Sequence, residues 1–182
     1  MDLENFTIDV ADLLKNFDDE KPIHKKFSSG IGPFGESQLV KEISIRLNGL
    51  GYGYKTKTRR TPDLDVNGEL AVEFKIVRPF GDNGNLAENW FVNLLHPYEG
   101  NVSLIGDILK LRDIDEFSQK AIFLIAYEHL KPKINLDILI SSFEMIVKNV
   151  LNLKIGNVFE ERRENLIHPE HQVVRCFLWE VL

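Results

Sequence analysis

The sequence is short of cysteine, of long apolar runs and of net positive charge, and each shortage excludes something. A single cysteine, Cys176, stands in 182 residues. An intrachain disulfide and a Cys-rich zinc site are therefore both excluded. Within its apolar run Cys176 reads as a buried small hydrophobe. No run approaches the ~20 apolar residues that span a bilayer. The first ten residues are acidic and lack the basic and apolar segments of a secretory leader. The expectation is a cytoplasmic chain without a membrane partner. Internal repeats and low-complexity tracts are missing too. What remains is ordinary: 43% hydrophobic and 27% charged residues suit a folded globular chain rather than a disordered one. The length suggests one domain over 1–182, large enough to bury a core.

The formal net charge is −6, which on its face disfavours a polyanionic ligand. Its distribution says otherwise. Residues 1–20 hold seven acids against Lys15, a local charge of −6. Residues 21–60 hold nine basic residues against Glu36 and Glu42, a local charge of +7. The remainder, 61–182, carries −7. An acidic leader and a basic segment are hidden in the mean.

In the leader, Leu3, Phe6, Val10, Leu13, Leu14 and Phe17 recur at helical spacing, and Pro22 limits the helix. Residues 22–35 are rich in breakers and read as loop. A second amphipathic helix over 36–48 presents Leu39, Ile43 and Leu47. Gly49 and Gly51 end it. Short strands follow over 52–58 and 61–66. Asn67-Gly68 is a hairpin turn signal, and 69–77 alternates as a strand. Residues 78–101, with Pro79, Gly81, Gly84, Pro97 and Gly100, are mostly irregular, with one or two helical turns over 90–95. A helix over 102–114, a buried-type strand over 120–127, a long helix over 135–151 and a final strand over 172–182 complete the chain. A hairpin meander followed by a helical crossover predicts an α/β fold, a mixed sheet with helices on its faces.

The chemistry concentrates in the hairpin. Pro62 cannot donate to a central ladder and belongs at a strand start, so Asp63 opens one arm. Glu73 and Lys75 lie two apart on the other arm and share a face, opposite the apolar face of Leu70, Val72, Phe74 and Ile76. Two carboxylates and a lysine converging at a hairpin suit metal-assisted phosphodiester hydrolysis. Hard oxygen ligands suit Mg²⁺, which acidifies a water and screens phosphate charge. A lysine beside it can orient the attacking water or stabilise the transition state. Asp65, two after Asp63, can replace or join it as ligand. Glu69 shares the face of Glu73 but lies nearer the turn.

At these residues the chain resembles the PD-(D/E)xK nuclease superfamily, the restriction-endonuclease-like enzymes. Pro62-Asp63 matches the PD element and Glu73-Phe74-Lys75 the (D/E)xK element. The resemblance implies a core of helix, three-stranded meander, crossover helix and strand, the order expected over 36–127. Residues 1–20 would then be a leader helix and 128–182 a C-terminal helix and strand. It implies that Asp63 and Glu73 bind Mg²⁺, with Mn²⁺ able to substitute, and that Lys75 supports catalysis. Many members add a glutamate from the first core helix, here Glu36 or Glu42, with Glu36 preferred at the helix start. The implied activity is hydrolysis of phosphodiester bonds, in DNA first of all. An inactive nucleic-acid- or protein-binding module on the same fold is the alternative.

Lys55, Lys57, Arg59 and Arg60 crowd before the motif and suit a phosphate backbone, or else protect a charged edge strand. Tyr52 and Tyr54 precede them. The run Gly30-Ile31-Gly32-Pro33-Phe34-Gly35 spells a dinucleotide fingerprint without its strand or its downstream acid, and a flexible loop near the site is expected. His168 and His171 flank Pro169 with no further ligand evident, so a surface loop is expected. Ser103, Asp107 and Lys110 share a helix face, expected to be solvated, with an accessory role for Lys110 as the alternative. Trp90, Phe91, Leu94 and Leu95 offer a homodimer patch or a substrate wedge, with satellite core as the default. The acidic leader is open to a docking role.

Overall fold

The structure is a computed structural model and describes residues 1–51, 53–96 and 103–182. Tyr52 and residues 97–102, including the expected helix start at Val102, lie outside the described residues.

The elements, in chain order, are α1 (Leu3–Asp19), α2 (Glu36–Gly49), β1 (Thr56–Thr58), β2 (Leu64–Val66), β3 (Leu70–Val77), α3 (Val92–Leu95), α4 (Leu104–Arg112), β4 (Gln119–Glu128), α5 (Leu136–Met145) running into a π-helical turn (Ile146–Val150), β5 (Ile155–Arg163) and β6 (Val173–Val181). The strands form one six-stranded mixed sheet in the order β1-β2-β3-β4-β6-β5. β1, β2 and β3 pair antiparallel, and β3 and β4 pair parallel across the helical crossover. The fold is therefore α/β with helices on both faces of a mixed sheet.

The alternation of β3 decides which helices go where. Leu70, Val72, Phe74 and Ile76 pack with the apolar faces of α1 and α2. Ala71 and Val77 turn the other way, to a cluster with Leu104, Ile108 and Leu111 of α4 and Ile140 and Phe143 of α5. Both faces are buried, so β3 and β4 read as near-continuous apolar runs, as expected for central strands covered twice. Asn67 and Gly68 take positive φ values of 59° and 71°, and the Glu69 N–H donates to the Val66 carbonyl. The hairpin forms where the Asn-Gly pair predicts it.

Several expectations are corrected. The acidic leader is not a free docking helix: Leu3, Phe6, Val10, Ala11, Leu14 and Phe17 of α1 belong to the main core. Asp2 caps it by accepting from the Glu4 and Asn5 N–H groups. The segment 30–33 is buried packing rather than open loop. The two histidines are not in a surface loop, since His168 and His171 are 0% and 1% exposed. The C-terminal region holds a helix and two strands. β5 goes unrecognised because it is an edge strand with Glu160, Glu161, Arg162 and Arg163 in a row, a charge density that hides the alternation and protects an edge. Among the described residues, no helix is long and apolar enough to cross a membrane.

Candidate active site

A strand buried on both faces has little tolerance for ionisable side chains, because removing charge from water costs several kcal/mol unless it is compensated. β3 carries two, Glu73 (3% exposed) and Lys75 (7% exposed). Two residues apart, they share the face that looks toward α4. Asp63 joins them from the approach to β2. The pairing sets Leu64 opposite Val72, so Asp63, one residue earlier, falls beside Glu73. The two carboxyl groups come within hydrogen-bonding range of each other.

Glu36 arrives from the first turn of α2, delivered by the segment 30–35. Its Oε1 accepts from Lys75 Nζ at 3.1 Å and its Oε2 from the Ile76 N–H at 3.2 Å. Asp63 Oδ2 accepts from the Phe74 N–H at 2.9 Å. The Phe74 and Ile76 N–H groups point to one edge of β3. β2 has already ended there, so two carboxylates take the place of a neighbouring strand. The exposed edge of β3 thus fixes one carboxylate from the hairpin, Asp63, and one from α2, Glu36.

A further acid, Asp107, enters from α4. The face of Ser103, Asp107 and Lys110, expected in solvent, instead packs on the sheet, and both Ser103 and Asp107 are fully buried. Ser103 caps α4 by accepting from the Gly106 N–H and donates to the His96 carbonyl. Asp107 in the first turn meets the positive end of the helix dipole. Its Oδ2 lies 3.3 Å from Lys75 Nζ and its Oδ1 2.5 Å from Lys110 Nζ. The spacing of Ser103, Asp107 and Lys110 in sequence was the available signal for this residue. Only the docking of α4 on β3 decides its meaning.

The electrostatics follow from this crowding. Burial, then the Asp63 and Asp107 charges, push the Glu73 carboxyl up to about 9. Burial also raises Glu36, and the adjacent Lys75 offsets part of that. Burial opposes the charge on Lys75, but Asp107 and Glu36 beside it hold the ammonium above its ordinary range. Four carboxylates (Glu36, Asp63, Glu73, Asp107) meet two ammonium groups (Lys75, Lys110). Fully ionised, the cluster carries the opposite of one divalent cation. Glu73 Oε1 is buried with no hydrogen-bond partner, whereas Asp107 Oδ2 is ion-paired with Lys75. A carboxylate oxygen of this kind fits a hard cation such as Mg²⁺.

Asp65 does not join the cluster. Its carboxylate accepts from Arg59 at 2.6 Å and from the Gly68 N–H at 2.9 Å, which fits it to shaping the turn. The basic residues divide. Arg59 is held by Asp65 and Glu116. Lys55, Lys57 and Arg60 are exposed, and none forms an ion pair with the described residues. Lys57 stands opposite Asp65, and Asp65 opposite Ala71, so Lys57 is on the same sheet face as Glu73. Trp90 and Leu95 pack against the second core cluster, while Phe91 is exposed.

Comparison with known proteins gives no match: no family model, no curated protein and no solved structure matches this chain.

Proposed function

We propose that the chain is a metal-dependent nuclease of restriction-endonuclease-like type that hydrolyses phosphodiester bonds in DNA. The single observation that carries this reading is the convergence of Asp63, Glu73 and Lys75 with a buried Glu73 oxygen that has no partner. The order α2, antiparallel meander, α4 and parallel β4 supports the same fold-level reading.

Asp63 and Glu73 are the residues that would hold Mg²⁺, with Mn²⁺ able to substitute. The cation, when bound, supplies Lewis acidity to a phosphate oxygen and acidifies a water. Lys75 remains an ammonium in this setting and can donate to a phosphate oxygen or orient the attacking water. Glu36 and Asp107 fix the position of Lys75 from two sides. Lys55, Lys57 and Arg60 supply non-specific attraction for the phosphate backbone.

The test is incubation of the full chain with plasmid and linear DNA, with Mg²⁺ and with chelator. Cleavage that depends on the cation and is lost in Lys75→Ala supports the reading. Cleavage that survives either treatment overturns it. A second reading, an inert binding module on the same fold, is favoured by the way Lys75 and Lys110 already neutralise Asp107 within the chain. Calorimetric titration separates the two, since an inert module gives no Mg²⁺ or Mn²⁺ signal that Asp63→Asn abolishes.

A further inference from the structure

A second cluster lies outside the carboxylate site, where the segment after β3 meets the β5–β6 connection. Asp82, His168 and His171 each bring one ligand-type atom there, all within 4.8 Å of one another. The two histidines are fully buried, and neither ring is fully satisfied. His168 Nε2 and His171 Nδ1 have no hydrogen-bond partner. His168 Nε2 lies 3.4 Å from Asp82 Oδ1, close to the ~3.3 Å edge of a tetrahedron with metal–ligand bonds of about 2.0–2.1 Å.

The hydrogen bonding of His171 points the same way. His171 Nε2 is hydrogen-bonded to the Phe80 carbonyl at 2.9 Å. A carbonyl only accepts, so the proton sits on Nε2 and the lone pair on Nδ1. Second-shell carbonyls orient metal-ligating histidines in this way. The Gly32 backbone packs directly against this ring. A Cβ on Gly32 would sit 2.1 Å from His171 Nδ1, so only glycine fits there. The glycine-rich run thus has a packing role here. One contact changes on binding: His168 Nδ1 faces the Glu170 N–H at 3.2 Å. Ligation through Nε2 moves the imidazole proton to Nδ1, and that contact is given up.

We infer that Asp82, His168 and His171 form a binding site for a divalent transition-metal cation of the Zn²⁺ class, separate from the carboxylate cluster. Two imidazoles and one carboxylate suit such borderline cations, whereas Mg²⁺ prefers oxygen donors alone. The cation fastens two segments, the exit from β3 and the β5–β6 connection. The site is structural in character and does not depend on the nuclease reading.

The test uses the full chain, stripped with chelator and dialysed, and Zn²⁺ alone as probe. Wild type binds one equivalent with a raised thermal midpoint, and millimolar Mg²⁺ does not displace it. Co²⁺ gives visible ligand-field bands. Asp82→Asn, on a partly exposed loop and so expected to fold, weakens Zn²⁺ binding about 10- to 100-fold and removes the Co²⁺ bands. His168→Gln does the same. Glu73→Gln retains both signals. Three outcomes overturn the inference: no stoichiometric Zn²⁺ binding, binding unchanged in Asp82→Asn and His168→Gln, or binding lost in Glu73→Gln but kept in Asp82→Asn.

Discussion

The carboxyl groups of Asp63 and Glu73 face each other within hydrogen-bonding range, one before β2 and one in the middle of β3. A buried carboxyl this close to a second carboxylate resists ionisation unless a cation lies between them. Burial and the neighbouring acids hold Glu73 up to about 9, so near pH 7 it keeps its proton. Cation binding must expel it. Mg²⁺ or Mn²⁺ titrations in buffers of different ionisation enthalpy should give about one proton released per cation near neutral pH. Affinity should climb as pH rises toward 9. Proton-neutral binding would remove the basis for the shared site.

The same proton governs stability in the absence of metal. The folded-state value for Glu73, about 9, lies above its usual 4.5. The folded state therefore holds the proton more tightly than the unfolded chain does. Stability from this group is fully present below about 4.5 and is lost as pH rises through about 9. In chelator, Glu73→Gln should match wild type in urea unfolding at low pH and exceed it at pH 9. Equal pH dependence in the two proteins would show that the carboxyl is not perturbed.

Asp107 holds Lys75 and Lys110 together from a fully buried position. It acts through the lysine, so it is a positioning residue. Asp107→Asn keeps the shape and removes the charge. The variant should lower kcat about 10- to 100-fold with little change in KM for DNA. It should also shift the basic limb of the pH–rate profile downward, because the ammonium of Lys75 loses its anionic partner. A change in KM alone would assign Asp107 a different role.

These relationships differ in how far they can be read from the chain. Asp63, Glu73 and Lys75 are legible because an Asn-Gly hairpin fixes register, and register fixes which side chains share a face. Glu36 is legible as a charge at a helix start. Asp107 is not, because the same helix face reads as solvated until α4 is known to cross over β3. Asp65 misleads for the converse reason: it has the right parity, yet its carboxylate is spent on Arg59 and Gly68. The buried histidines pair with Asp82, distant in sequence, and no local pattern announces a contact that tertiary packing creates. β5 escapes notice because its charges mask the alternation.

The glycines separate packing from flexibility. A Cβ at Gly32 would collide with the His171 ring, whereas a Cβ at Gly49, the last residue of α2, meets nothing within 4 Å. Gly32→Ala should therefore lower stability by more than 1 kcal/mol, in the roughly 1–3 kcal/mol range of overpacking. Gly49→Ala should raise it by about 0.5–1 kcal/mol through reduced backbone entropy in the unfolded chain. Urea denaturation of both variants checks the pair. Equal effects would mean that the segment 30–35 is not packed as described.

The basic strand makes a quantitative claim about DNA. Lys57 is exposed on the sheet face shared with Glu73, and no described residue neutralises it. Arg59 is already committed to Asp65 and Glu116. A free cation releases a counterion when it meets a phosphate, whereas a paired one must first break its own ion pairs. Lys57→Ala should thus weaken binding to DNA of any sequence and reduce the salt slope by about one. Its folding stability should stay within ±0.5 kcal/mol of wild type. Arg59→Ala should change the slope less and stability more, since it leaves the buried Asp65 carboxylate without its cation. Binding measured from low to moderate salt discriminates the two. If Arg59 carried the larger slope and Lys57 none, DNA would approach from the side of Glu116 rather than along the face of Glu73.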